Sequence, residues 1–290
     1  MPMNFSAIGA DNGYGEAAWT HRDAIVYALG VGAGQDDPLG ELQYTTENSA
    51  GVTQQMLPAF GVVLGMTYAR RPQLGDFDQA KVLHGEQAFE VHRPLPVQGR
   101  ARAATVVQGI YDKGTGALVI SETTLTDADS GDLLMTARGS LFARGEGGFG
   151  GDPQPSQDWA VPEREPDTER HSHVRPDQAL LYRMSGDRNP LHSDPVFAAK
   201  GGFDRPILHG MCTYGITSRL LINALCDGDP ARVRSMSGRF TRPVMPGETL
   251  TVRIWADGAQ AQHQTAQFQT ADSSGRVVID RGTFGYSGQP

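Results

Sequence analysis

The chain has 290 residues and a formal net charge of −8 at pH 7. That balance argues against non-specific nucleic-acid binding, which needs a basic footprint, and leaves room for an anionic small ligand wherever arginines and lysines cluster locally. Two cysteines, Cys212 and Cys226, are too few for a disulfide scaffold and fit a reducing cytoplasm. No apolar run approaches the roughly 20 residues that span a bilayer, the N-terminus lacks the layout of a secretory signal, and the C-terminus reads SGQP in place of a peroxisomal SKL.

Two halves are expected, each with helices first and strands afterwards. In the first, WTHRDAIVYALGVG reads as a helix decaying into glycines and LPAFGVVLGMTYA as a second, apolar helix. The runs KVLHGEQAFEVH, ARAATVVQGIYD, GALVISETTLTD and DLLMTARGSLFA read as strands separated by the turn chemistry of DKGTG and DADSGD. The GVGAG at 30–34 follows a helix instead of a strand, so the context of a dinucleotide loop is absent. Glycines and then Pro153, Pro155, Pro162 and Pro166 interrupt 145–170, which reads as a surface crossover. The chain thus divides into 1–150, a linker at 151–170, and 171–290.

The second half repeats the plan. PDQALLYRMSG reads as a short helix with Pro176 in its first turn, DPVFAAKGG as another stopped by glycine, and HGMCTYGITSRLLINALC as a long apolar helix. VRSMSGRFTRPV, ETLTVRIWAD, AQHQTAQFQTAD and RVVIDRGTFGYS then read as strands. Helix and strand segregated along the chain imply an α+β class with antiparallel sheets wrapped around a helix. A loose internal similarity aligns Asp23–Tyr27 and Gly30 with Asp177–Tyr182 and Gly186, which places Gln35 and Gly40 where Asp187 and His192 stand and leaves the first copy without a reactive pair. His171 and His173 lie close together, but no zinc-ligand spacing surrounds them, and no metal site is expected.

The chemistry concentrates in SGDRNPLHSDPVFAAKGGFDRPILHGMCTYG, residues 185–215. Asp187, Asn189 and His192 fall within six residues on a loop pinned by Pro190, Pro195 and Pro206. A helix would send positions 187 and 192 to different faces, whereas a proline-fixed turn lets a carboxylate and an imidazole converge on one water, one removing a proton while the other supplies one. Asp187 and Asn189 are also ordinary turn residues. Downstream, His209 and Gly210 open the long helix, whose first N–H groups lack internal partners and carry the positive end of the dipole. With no Cβ on Gly210, an oxygen developing negative charge can approach closely.

This stretch resembles the hydratase 2 motif of the MaoC-like enoyl-CoA hydratases through GDRNPLH, FAAKGGFDRPILHG and CTYG, and the likeness continues in GRFTRPVMPGETL, in KVLHGEQAFEVHRPLPVQG and in the glycine-rich GGFGG. The resemblance implies a double hot-dog, the second carrying the catalytic loop and the first accommodating the acyl chain. It implies Asp187 and His192 as the acid/base pair, Asn189 as orienting the water or the loop, and the Gly210 N–H as holding the thioester oxygen. It also implies coenzyme A contacts at His84, Gly85, Lys113 and Phe240. The expected reaction is reversible, cofactor-free hydration of trans-2-enoyl-CoA to (3R)-3-hydroxyacyl-CoA by a cytoplasmic homodimer with an acyl-CoA partner. The weighed alternatives are an acyl-CoA thioesterase and a non-catalytic thioester-binding module. The acyl pocket is expected around Met56 to Met66.

Overall fold

The computed structural model describes residues 3–78, 81–151, 154, 158–257 and 263–288. Among the described residues, ten antiparallel strands form one sheet: β1 (Tyr14–Trp19), β2 (Val82–Val91), β3 (Gly99–Asp112), β4 (Gly116–Asp127), β5 (Leu133–Arg144), β6 (Thr168–His173), β7 (Val233–Phe240), β8 (Thr249–Ala256), β9 (His263–Ala271) and β10 (Val277–Ser287). Their order, β1-β3-β4-β5-β2-β7-β10-β9-β8-β6, is one five-strand pattern written twice in opposite directions. The halves meet where β2 pairs with β7, from Glu86 opposite Arg239 to Glu90 opposite Ser235.

Six α-helices accompany the strands among the described residues: α1 (His21–Gly30), α2 (Leu42–Thr45), α3 (Ala59–Tyr68), α4 (Gln178–Tyr182), α5 (Pro195–Lys200) and α6 (Gly210–Leu225). α6 is buried without interruption from Met211 to Ile222, and α3 from Ala59 to Gly65. A helix buried on all sides belongs at the centre of a core, and each of these two takes that place in its half. This is the double hot-dog, with its two sheets fused edge to edge.

Three local readings change. Trp19 ends β1, a strand where helix was expected; the helix starts after it, at a capping box in which Thr20 and Asp23 satisfy each other's backbone N–H groups. Residues 168–173, expected as the end of the linker and the start of the second half, form β6, paired with β8 from Thr168 opposite Ile254 to His173 opposite Thr249. Only Ser172 of that strand is buried, so its sequence lacks the alternation that marks a half-buried strand. Pro176 lies ahead of the Asp177 cap of α4 instead of within the first turn.

The halves are also held by a buried ion pair. The Arg219 guanidinium of α6, 5% exposed, meets the Glu41 carboxylate, 18% exposed, and also donates to the Val31 carbonyl and the Ser172 hydroxyl. Asn223 donates to the same carboxylate. Gln35, aligned with Asp187 by the internal similarity, donates to Ser172 and the His173 carbonyl beside this network. Burial pushes the Glu41 carboxyl up, but the Arg219 charge, the Asn223 and Arg219 hydrogen bonds and the Gly34 N–H outweigh it and hold the group below its ordinary value of 4.5. A folded-state pKa below the unfolded one means that this contribution is complete above the unfolded value and is lost as pH falls through the folded one. Arg219→Ala, which strands a buried carboxylate, is expected to lower unfolding stability by about 3–5 kcal/mol in denaturant titrations at pH 7, with the deficit shrinking as Glu41 protonates in acid.

Candidate active site

The loop from Gly186 to His192 is built by local bonds. Gly186 takes φ 139°, and a Cβ there would lie 2.5 Å from Thr67 Oγ1 of α3. The loop of the second half therefore rests on the helix of the first, at a position only glycine fits. The Asp187 carboxylate accepts the Asn189 N–H at 3.1 Å, the Asn189 side-chain oxygen accepts the Leu191 N–H at 3.0 Å, and Pro190 opens a 3-10 turn through His192. Both residues thus do ordinary turn work, and Asn189 acts in this structure as a brace of the loop.

The same bonds bring the reactive groups together. Asp187, His192 and His209 each offer an atom within 4.8 Å of the others. His192 is 8% exposed and His209 1%. His192 Nδ1 lies 2.9 Å from the Ile207 carbonyl. A carbonyl only accepts, so Nδ1 carries the proton and Nε2 keeps a free lone pair. His209 occupies the cap position of α6 without a side-chain cap bond. Its ring stacks on His192 at 3.8 Å between centroids and 29° between planes, and its Nε2 meets the Asp187 carbonyl at 3.3 Å. In the sequence His209 stands out only as the residue that opens the long helix with Gly210. Tyr182 closes the other side of His209, with ring centroids 4.9 Å apart.

Burial pushes the His192 imidazole below its ordinary value, a shift partly opposed by the Ile207 bond and the Asp187 charge. Burial and then the charge of His192 push His209 down to about 3. Both rings are therefore neutral near pH 7. These three residues are also the described group able to hold a metal ion. However, stacked rings send their in-plane lone pairs along nearly parallel planes instead of onto one point, an arrangement suited to handling protons.

The resemblance-derived contacts separate into two places. A Cβ at Gly210 would lie 3.5 Å from the Phe240 ring, an ordinary contact, so packing within the chain does not itself demand glycine there. Phe240 lies against His84, with ring centroids 4.8 Å apart. Burial takes His84 down to about 4, while the Gln87 side chain and the Asp187 charge work against the shift. In the β2–β5 pairing the register shifts between His84 and Glu86, a bulge at Gly85. Two strand residues three apart ordinarily face opposite sides; the extra residue puts His84 and Gln87 on the same side. His84, Phe240 and Gly210 thus border the pair, whereas the open side of Gly85 meets Ser140, which lines a different cleft. Lys113 stands apart, in the β3–β4 turn, lining a cleft of about 680 Å³ with Arg138, Trp159 and Arg239.

Flanking Asp187, Gly186 and Arg188 line a cavity of about 310 Å³ whose apolar walls include Trp19, Val26, Phe60 and Leu64. Its α3 wall falls inside the 56–66 stretch expected to shape the acyl pocket. Trp19 and Val26 were not anticipated as lining; Trp19 was read as the start of a helix and ends β1 instead.

Comparison with known proteins matches residues 18–145 to the MFE-2 hydratase 2 N-terminal domain and residues 158–277 to the MaoC like domain. The chain belongs to the MaoC-like hydratase 2 family. The enoyl-CoA hydratase ChsH3 of Mycobacterium tuberculosis is 47% identical over 266 residues, 89% of this chain and 91% of that protein. The peroxisomal enoyl-CoA hydratase 2 of Arabidopsis thaliana is 40% identical over 85% of each chain. The crystal structure of a MaoC-like dehydratase from Phytophthora capsici superimposes with a TM-score of 0.86 at 32% identity, covering 99% of this chain and 98% of its own.

An NMR titration of the imidazoles tests the electrostatics of this MaoC-like site. The His192 midpoint is expected below 6.5 and the His209 midpoint near 3. A His192 midpoint above 6.5 would mean that the Asp187 charge, not burial, governs the ring.

Proposed function

We propose that this MaoC-like protein is an (R)-specific enoyl-CoA hydratase that reversibly adds water to a trans-2-enoyl-CoA in fatty-acid or related acyl-CoA metabolism. One observation carries the reading: the Asp187 carboxylate and the free His192 Nε2 converge beside the opening turn of α6. The names of the relatives that match over most of the chain, enoyl-CoA hydratases at 47% and 40% identity, support it.

The thioester already makes C3 of the substrate electrophilic. The N–H at Gly210, on the positive end of a 16-residue helix, polarises the carbonyl oxygen and receives the negative charge of the enolate. A water between Asp187 and His192 loses one proton to the pair as its oxygen bonds to C3. The pair returns a proton to C2 as the enolate collapses, so the net change is the addition of one water. Acid and base on one side of the substrate plane make the addition syn.

No cofactor enters this scheme; coenzyme A takes part only as the carrier of the substrate. The acyl chain runs from the reacting carbons into the cavity between α1 and α3. The reading also includes a cytoplasmic homodimer, for which β1 and β6, at the two ends of the sheet, offer unpaired edges.

The test follows the absorbance of the enoyl thioester together with free thiol. Hydration bleaches the absorbance and releases no thiol; thiol release from a saturated acyl-CoA would indicate a thioesterase instead. Asp187→Ala and His192→Ala are each expected to cut turnover about 10²-fold or more. Activity of the wild type should fall as pH drops through the lowered His192 pKa, below 6.5, because protonation there removes the lone pair. Survival of turnover in both variants would overturn the assignment.

A further inference from the structure

Three consecutive residues at the entry of α6 reach back to the loop that holds Asp187 and His192. The Ile207 carbonyl accepts the His192 Nδ1 proton. The Leu208 N–H donates to the Val244 carbonyl at 2.9 Å, which pins the segment. His209 lays its ring on His192 and turns its Nε2 to the Asp187 carbonyl. The next residue, Gly210, begins the helix. One short stretch thus touches both members of the reacting pair and adjoins the N–H that faces the thioester oxygen.

His209 is not placed to exchange protons with a substrate. A carbonyl only accepts, so Nε2 holds the proton and points it at the Asp187 carbonyl. The lone pair therefore sits on Nδ1, which is sealed from solvent without a partner. His192 has the opposite tautomer, with Nε2 free. Packing alone does not account for an imidazole at 209 either. A buried polar atom without a partner costs free energy, and a phenyl ring would fill the space without one. What the imidazole adds is its Nε2–H on the loop.

The ring is also backed so that it cannot yield. Tyr182 lies against its other side, Tyr27 follows with ring centroids 6.1 Å from Tyr182, and Phe60 stacks on Tyr27 at 4.9 Å. All four side chains are at most 2% exposed. Tyr27 and Phe60 come from the first half, Tyr182 and His209 from the second. The column runs from the wall of the acyl cavity, which Phe60 lines, to the face of His192. A close-packed row of rings resists displacement at any member.

We propose that His209 is a positioning residue for the hydration: it locks the His192 ring and the Asp187 backbone to the tip of α6, so that the acid/base pair and the Gly210 N–H keep one mutual geometry. This rests on the hydratase reading and adds to it a residue that acts only through its neighbours. Such a lock matters because a displacement of about 1 Å in a reacting group costs about 10²-fold in rate.

The test compares kcat and KM for an enoyl-CoA in His209→Phe, His209→Gln and His209→Ala. Phe keeps a ring between Tyr182 and His192 and loses the bond to the loop. Gln keeps a donor and loses the ring. Ala loses both. A fall in kcat of about tenfold is expected in Phe and in Gln, and of about 10²-fold or more in Ala, with KM within about twofold of wild type. Thermal unfolding identifies the folded variants, and Phe, the closest in volume and shape, keeps the test open if Ala does not fold. In NMR spectra the His192 imidazole signals should be sharp in wild type and broadened in Ala, as the ring samples more than one orientation. Wild-type kcat in Phe, a loss confined to KM, or His192 signals unchanged in Ala would each overturn the proposal while leaving the hydratase reading intact. A wild-type protein that hydrates no enoyl-CoA removes that reading instead, and the NMR comparison then decides by itself whether His209 locks His192.

Discussion

Everything functional in this molecule depends on the pairing of β2 with β7. That one ladder turns two five-stranded sheets into a continuous surface. It brings His84 of the first half against Phe240 of the second and sets Glu86 beside Arg239 on the opposite face. A hot-dog half alone would have neither a catalytic loop resting on a foreign helix nor a cleft straddling a seam. Strand pairing is directional and its register has period two, so a slip of one residue would exchange the faces of every side chain along the seam. The buried Arg219–Glu41 pair ties the same two halves at a second point.

At the loop from Gly186 to His192, bonds that shape the backbone also place the Asp187 carboxylate and the His192 ring. Asp187 accepts the Asn189 N–H, so the carboxylate is held before any substrate arrives. The Ile207 carbonyl selects the His192 tautomer, and the His209 ring supports that imidazole from below. Such preorganisation matters because a positioned acid/base group contributes only when it lies within reach of the proton it moves. Desolvation adds to this: it disfavours the imidazolium of both rings and so keeps a lone pair available near neutral pH.

The two faces of the sheet divide the electrostatic work. On the helix side, buried imidazoles are driven toward the neutral form beside one carboxylate. On the outer side, basic side chains collect around a cleft.

Much of this was legible in the chain. Periodicity, turn chemistry and proline placement predict α3, α6 and eight of the ten strands, since those signals are local. The 185–215 run marks the reactive loop, because a carboxylate, an imidazole and prolines at that spacing already constrain the geometry. Tertiary structure decided the rest. β1 and β6 are short edge strands whose identity comes from their partners β3 and β8, not from alternation of their own. His84 faces the catalytic pair because of a bulge that no count of apolar residues reveals. His209 became a support for His192, and the linker's Trp159 a wall of the outer cleft, through contacts between residues far apart in sequence or held by folds of the loop. Local sequence sets which element a residue joins; which face it meets, and what lies across from it, is settled only when distant elements pack.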